Sequence, residues 1–144
     1  MIDRAEIARL IPHAGTMCLL DRVTFWDERT IQCVAASHRD AGNPLAADGR
    51  LGAACGVEYA AQAMAIHGGL SGAVGQRPKA GYLMSLRGLT VHRPYLDDLK
   101  DDLVVAAERL AGEGAQVSYR FTLTCAGQPV LEGRAAVLLE VATA

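Results

Sequence analysis

The stretch ACGVEYAAQAMAIHG, residues 54–68, constrains the fold more than any other part of the chain. Its composition predicts a helix that ends at Gly68 and Gly69. Small side chains lie on every side of this helix, so other backbone can approach it from all directions. These residues are Ala53, Ala54, Gly56, Ala60, Ala61, Ala63, Ala65, Gly68 and Gly69. Such a helix is enclosed by other structure, and its one carboxylate, Glu58, is therefore either destabilising or functional.

The N-terminal part of the chain predicts a second, short helix. Asp3 precedes Glu6 by three residues, which is the capping-box pattern, and an apolar run follows. Because proline cannot continue a helix, we expect this one over residues 3–10, with Pro12 beyond its end.

Strands account for most of the remaining chain. Segments 16–27 and 30–37 are rich in β-branched, aromatic and apolar residues around the charged tripeptide DER, which predicts a hairpin. Residues 115–124 alternate between apolar and polar, as a half-buried strand does, and 129–141 predicts a last strand. The composition of 101–112 suits a helix or a strand, and we predict a strand because its neighbours are strands.

The order of these elements predicts the fold class. A short helix, a hairpin, a Gly- and Pro-containing loop over 38–53, a long helix and a run of strands make an α+β protein. An antiparallel β-sheet wrapped around one long central helix is the hotdog fold. We therefore predict a single hotdog domain over residues 1–144.

Charge and composition exclude several classes of partner. The 14 Lys and Arg residues and 16 Asp and Glu residues are scattered and give a formal net charge of -2. This pattern argues against nucleic-acid binding and against a polybasic membrane patch. No apolar stretch approaches the ~20 residues of a membrane span, and acidic residues stand where a signal peptide would be basic, so we predict a cytoplasmic protein without a membrane span.

The four cysteines predict neither a zinc site nor a disulfide framework. They are widely separated, with no C-x-x-C pair, and we expect four buried, reduced thiols. No metal and no cofactor is predicted. The four are Cys18, Cys33, Cys55 and Cys125.

Three segments carry a resemblance to a known family. IPHAGTMCLLDRV (11–23), VEYAAQAMA (57–65) and GLTVHRPYLDDLKDDL (88–103) resemble, in the same order, motifs of the bacterial β-hydroxyacyl-carrier-protein dehydratases of the hotdog family. Glu58 falls on the family's catalytic carboxylate and Gln62 on its Gln. Within the family the chain is most similar to the ApeP-type dehydratases of aryl-polyene gene clusters.

The resemblance has one departure, which concerns the catalytic base. The dehydratases have a His in a GHFPG-P loop before the helix, whereas GNPLAADGRLGAAC (42–55) contains none. ApeP-type proteins share that loss. By elimination and by the resemblance, His13 in PHAGTM is the expected substitute.

The resemblance implies syn elimination of water from a β-hydroxyacyl thioester, in fatty-acid or aryl-polyene synthesis. His13 would take the α-proton, Glu58 would protonate the leaving hydroxyl, and Gln62 would orient the carboxylate or a water. Unpaired N–H groups at the start of the long helix would bind the thioester oxygen. These substrate-binding groups belong to Ala53, Ala54 and Gly56.

Other interpretations remain open at this point. Glu58 could instead serve as a cap or pair with an Arg at a subunit interface, and His13 could instead be a turn residue. His38 and His67 are expected to be structural. A hotdog thioesterase would use Glu58 to activate water for hydrolysis, and a non-catalytic subunit would complete the site of an active partner.

The expected partners follow from the resemblance as well. They are an acyl carrier protein bearing a phosphopantetheine-linked acyl chain and a second hotdog subunit. The hotdog pairing would be a homodimer or a heterodimer, because a lone hotdog leaves one sheet edge exposed.

Overall fold

The computed structural model describes residues 1–11, 15–71, 78–113 and 116–141. Two helices and six strands alternate with loops in the predicted order. They are α1 (Arg4–Leu10), β1 (Arg22–Trp26), β2 (Thr30–Ala35), α2 (Gly56–Ser71), β3 (Pro78–Val91), β4 (Leu103–Glu113), β5 (Gln116–Cys125) and β6 (Gln128–Val141).

The six strands form one sheet in the order β1-β2-β4-β5-β6-β3, with every neighbouring pair antiparallel. Helix α2 packs against all strands from β2 to β6, and α1 packs against α2 as well. The six consecutive residues 62–67 are buried, which covers every direction around a helix of 3.6 residues per turn. The sheet therefore wraps α2, as the small residues of this helix predict.

The predicted start of α1 is right, and the predicted end of α2 is wrong. Asp3 caps α1 as expected: its Oδ1 accepts the N–H of Glu6 at 2.9 Å, and the Glu6 carboxylate accepts the N–H of Asp3. Helix α2 does not end at Gly68 but continues to Ser71, whose hydroxyl donates to the carbonyl of His67. Glycine ends a helix when it adopts a left-handed conformation, and neither Gly68 nor its neighbour does so here.

Most strand predictions hold, including the ambiguous segment 101–112, but the prediction of a strand from residue 16 is wrong, because β1 begins only at Arg22. Before it, the backbone of Met17 and Leu19 is hydrogen-bonded to the Gln62 side chain rather than to a neighbouring strand.

Residues 103–113 form β4 in the middle of the sheet, hydrogen-bonded to β2 on one side and to β5 on the other. Its apolar side chains Leu103, Val105 and Ala107 are buried at alternate positions. Pairing on both sides decides the conformation where local propensity does not.

All four cysteines are free, as predicted, but only three are buried, since Cys55 is partly exposed. None of the helices in the described ranges combines the length and the apolar character that a bilayer crossing requires.

A buried histidine joins the C-terminal half of α2 to the sheet. His67 is fully buried; its Nδ1 lies 2.7 Å from the hydroxyl of Tyr119, and its Nε2 lies 2.8 Å from the carbonyl oxygen of Asp27. A neutral ring that accepts from Tyr119 and donates to Asp27 satisfies both groups. Burial lowers the pKa of His67 and raises the pKa of Tyr119 to about 12.

The two buried histidines, His38 and His67, predict that the folded protein loses stability in acid. Burial also lowers the pKa of His38, so folding favours the neutral form of both rings. The stability they contribute is complete above their unfolded pKa of about 6.5 and declines as the pH falls from there to the lowered folded values. We expect the melting temperature to fall between pH 7.5 and pH 5, by roughly 2–4 °C for each kcal/mol lost.

Thermal melts across this pH range check the prediction with two variants. His67→Gln should flatten the decline, whereas Gln32→Met, at an exposed position of β2, should leave it unchanged because it removes no titratable group. A wild-type melting temperature that stays constant over this range would contradict the prediction.

Candidate functional site

Helix α2 is open to solvent along one short stripe in its first two turns. Ala54, two residues before α2 begins, is exposed, and Val57, Glu58 and Ala61 are partly exposed, whereas residues 62–67 are buried. Positions separated by three, four and seven residues share one face of a helix, so these four form a continuous strip. Glu58 is the only ionisable group on this strip and is half-buried there.

The start of α2 is pressed against β5 and β6. A Cβ on Gly56 would lie 2.8 Å from Leu131 Cδ2 and 2.9 Å from Leu123 Cδ2, closer than real contacts allow, so only glycine fits without moving two buried leucines. The N–H of Ala53 donates to Pro94 O at 3.0 Å, and that of Gly56 donates to the carbonyls of residues 53 and 54. Two of the three predicted thioester-binding amides are therefore engaged within the protein, and the third belongs to Ala54, which is an exposed residue.

The segment that precedes α2 is fixed by the motif segment 88–103. Asp97 accepts the N–H of Leu51 at 2.8 Å and the guanidinium of Arg50 at 2.9 Å. The N–H of Leu96 in turn donates to Leu51 O at 2.8 Å. The Leu51 N–H, together with Arg50, lowers the pKa of the Asp97 carboxyl. The motif thus positions the first turn of α2, which carries Glu58.

Gln62 lies one turn after Glu58 and binds the segment that leads away from His13. Its side chain is fully buried; Oε1 accepts the N–H of Leu19 at 2.9 Å, and Nε2 donates to the carbonyl of Met17 at 2.6 Å. We call this pair of bonds the Gln62 clamp. The sequence predicts that Gln62 orients Glu58 or a water, whereas the contacts in the structure are to backbone.

A second group of side chains holds the same segment. Asn43 Nδ2 donates to the hydroxyl of Tyr59 at 3.0 Å, Tyr59 lies 2.8 Å from Ser37 Oγ, and Ser37 Oγ donates to the carbonyl of Leu19 at 2.8 Å. The hydroxyl protons can all point the same way along this chain, so each donor finds an acceptor. Sequence reasoning missed these residues because they come from separate segments and form no local pattern.

The Asp21 side chain fixes the end of this segment that leads into β1. It accepts from Arg4 at 3.0 Å and from the N–H of Ala36 at 2.9 Å, and Arg4 also donates to Cys18 O at 2.7 Å. Helix α1 therefore also holds residues 18–21.

The other two histidines singled out in the sequence are His13 and His38. His13 lies outside the described residues. His38 is buried and its Nε2 lies 3.0 Å from the carbonyl oxygen of Leu99; within the described part of the chain its Nδ1 has no hydrogen-bond partner. His38 and His67 are both enclosed and bonded to backbone, in keeping with the structural roles expected of them. No group of three metal-ligating side chains occurs among the described residues.

The chain is similar in sequence to a known family and in structure to solved proteins. The model of the ApeP-like family, described as ApeP dehydratase, matches residues 5–142. The dehydratase heterocomplex ApeI:P from Xenorhabdus doucetiae is similar in structure with a TM-score of 0.80 and 22% identity, over 92% of this chain and 90% of that one. No curated protein sequence matches the chain.

More distant structures share the fold. A mutant thioesterase from Pseudomonas aeruginosa has a TM-score of 0.62 at 13% identity, over 84% of this chain and 81% of that one. AziG from S. sahachiroi has a TM-score of 0.58 at 17% identity, over 92% and 98%. The predicted hotdog fold is thus confirmed, and the family match covers nearly the whole sequence. The chain belongs to the ApeP-like family of hotdog-fold dehydratases.

Proposed function

We propose that the protein is a (3R)-hydroxyacyl-carrier-protein dehydratase that eliminates water from a β-hydroxyacyl thioester in fatty-acid or aryl-polyene synthesis. The observation that carries the proposal is the Gln62 clamp beside Glu58. It ties the backbone of Met17 and Leu19 to the helix that bears the carboxylate. Family membership supports dehydration, and the acyl carrier protein is the proposed source of substrate.

Chain geometry supports His13 as the base. His13 precedes Met17 by four residues, and four residues span at most about 14 Å when fully extended. Met17 is bonded to Gln62, which lies one helical turn, about 6 Å, from Glu58. This reach allows the imidazole to approach the open stripe on α2, which supports His13 as the proposed base.

The proposed reaction needs two proton transfers and one oxyanion donor. His13 takes the α-proton of the acyl chain, the electron pair of that C–H bond forms the Cα–Cβ double bond, and the Cβ–O bond breaks. Glu58 supplies the proton with which the hydroxyl leaves as water. The N–H of Ala54, an exposed residue two positions before α2, would steady negative charge on the thioester oxygen, where the helix dipole favours it.

An exposed apolar strand supports a second hotdog subunit. Strand β3 is an edge of the sheet and exposes five large apolar side chains, with Met84 at 53% and Leu83 at 44% exposure. An unpaired apolar edge is a template for pairing with another strand. We propose a homodimer or a hotdog heterodimer formed through this edge. The five residues are Leu83, Met84, Leu86, Leu89 and Val91.

A non-catalytic role within a heterodimer is the second candidate. The similar structure from Xenorhabdus doucetiae is a dehydratase heterocomplex, and the loop 42–55 of this chain lacks histidine. In that case an active hotdog partner would supply the base. The isolated chain would then be inert, and mixing it with the partner would restore dehydration.

The first catalytic prediction concerns Glu58 and His13. Glu58→Gln keeps the side-chain volume but removes the transferable proton, and His13→Ala removes the base, so each should lower turnover by about 10²-fold or more. Mass analysis of β-hydroxyacyl carrier proteins for loss of water measures this, alone and with a hotdog partner. His92→Gln is the control, and full activity in either test variant would remove that residue from the mechanism.

The second prediction concerns the Gln62 clamp. Gln62→Met keeps an unbranched chain but leaves the Met17 carbonyl and the Leu19 N–H without their partner, which should destabilise the fold by about 1–3 kcal/mol. Because the clamp positions His13, kcat should fall while KM changes less. Gln32→Met, at an exposed position of β2, should change neither quantity. An unaltered kcat in a folded Gln62→Met protein would show that the clamp is not needed for turnover.

The third prediction concerns assembly. Leu86→Lys places a charge on the exposed edge strand and should shift the protein, alone or with its hotdog partner, toward monomer in sedimentation at micromolar concentration. Phe25→Lys replaces an apolar side chain of β1 that is even more exposed, and it should not have this effect. A wild-type chain that stays monomeric with and without a hotdog partner would contradict the proposed pairing.

A further inference from the structure

Three arginines stand side by side on the outer face of the sheet. Arg120 of β5 lies directly opposite Arg134 of β6, and Arg134 lies directly opposite Arg87 of β3. All three are exposed. Since adjacent strands are about 4.8 Å apart, this arginine row extends over roughly 10 Å.

The arginine row faces away from the candidate active site. Successive side chains of a strand point to opposite faces of the sheet. The neighbours of Arg120 and Arg134, such as Phe121 and Ala135, are buried in the core around α2. The sheet therefore separates the row from Glu58, and a ligand could bind the row whether or not the protein carries out the proposed dehydration.

The row lines a depression of about 590 Å³. Among the described residues, its walls contain no apolar side chain larger than a threonine methyl group, which differs from the aromatic and aliphatic centre of a protein–protein interface. A small hydrophilic ligand suits such walls better than a protein surface. The lining residues are Arg87, Gly88, Arg120, Thr122, Glu132, Gly133 and Arg134.

The positive charge of the row is only partly compensated. Arg120 lies 3.6 Å from Glu108, and Glu132 lies 3.5 Å from His92 rather than pairing with the row. Among the described residues, Arg87 and Arg134 have no ion-pair partner. Like charges directly opposite on neighbouring strands destabilise a sheet, so the row is unfavourable for the folded protein by itself.

We propose that the arginine row is a binding site for a small polyanion that carries at least two neighbouring phosphate or carboxylate groups. One guanidinium binds one oxyanion through two parallel hydrogen bonds, so three arginines in line match a ligand with two or three anionic groups. The Thr122 hydroxyl in the same depression adds a further donor. A bound polyanion would relieve the repulsion within the row.

Calorimetric titration of the full chain in a phosphate-free buffer of low ionic strength tests the site. The probes are inorganic pyrophosphate, citrate and, as a single anion, orthophosphate. Pyrophosphate or citrate should bind at least about 10-fold more tightly than orthophosphate. The better of the two identifies whether phosphate or carboxylate groups are preferred. If neither exceeds orthophosphate, the proposal is wrong.

A variant at the centre of the row separates binding from a structural role. Arg134→Thr should weaken binding of the tighter probe by about 10-fold or more, yet raise the melting temperature by about 1–4 °C at low salt. The gain should shrink in 0.5 M salt, which screens charges at this separation. Arg22→Thr, at an exposed position of β1, should change neither binding nor stability. A lower melting temperature at both salt concentrations with unchanged binding would show that the row is structural.

Discussion

Enclosure of most of α2 is the constraint on which the rest of the structure depends. A polar side chain on an enclosed helix cannot reach water, so it must find a partner within the protein. Tyr59 bonds to the loop after β2, Gln62 to the segment before β1, and His67 to the β1–β2 turn and to β5. The three polar side chains thus fasten four different parts of the chain to the helix.

The same constraint explains where the candidate site lies. The sheet and the fastened segments cover α2 from residue 62 to residue 67 but leave a strip of its first two turns open. Glu58 is on this strip, one turn from the Gln62 clamp. A carboxylate at the border between enclosed helix and open surface can meet a substrate while the helix around it stays rigid. This combination is what an acid–base site requires.

Local patterns in the sequence predict the elements, and the family resemblance predicts the site residues. The capping box of Asp3, the small residues of α2 and the alternation in β5 each act over a few residues, so sequence alone reveals them. The partners of Gln62 are more than 40 residues away in the chain, and no local pattern indicates them. The predicted end of α2 is wrong because Gly68 ends a helix only in a left-handed conformation, which it does not adopt.

The central claim is that the Gln62 clamp brings His13 to the carboxylate of Glu58. A crystal structure of the protein in its functional oligomer tests this claim most directly, through the distance between the His13 imidazole and a Glu58 carboxylate. Each group must reach its own carbon of one substrate across a hydrogen bond of about 3 Å, so we predict a separation within about 6 Å, on one chain or across the interface. An imidazole that points into solvent on the outer surface would contradict the account and leave the non-catalytic subunit as the better explanation.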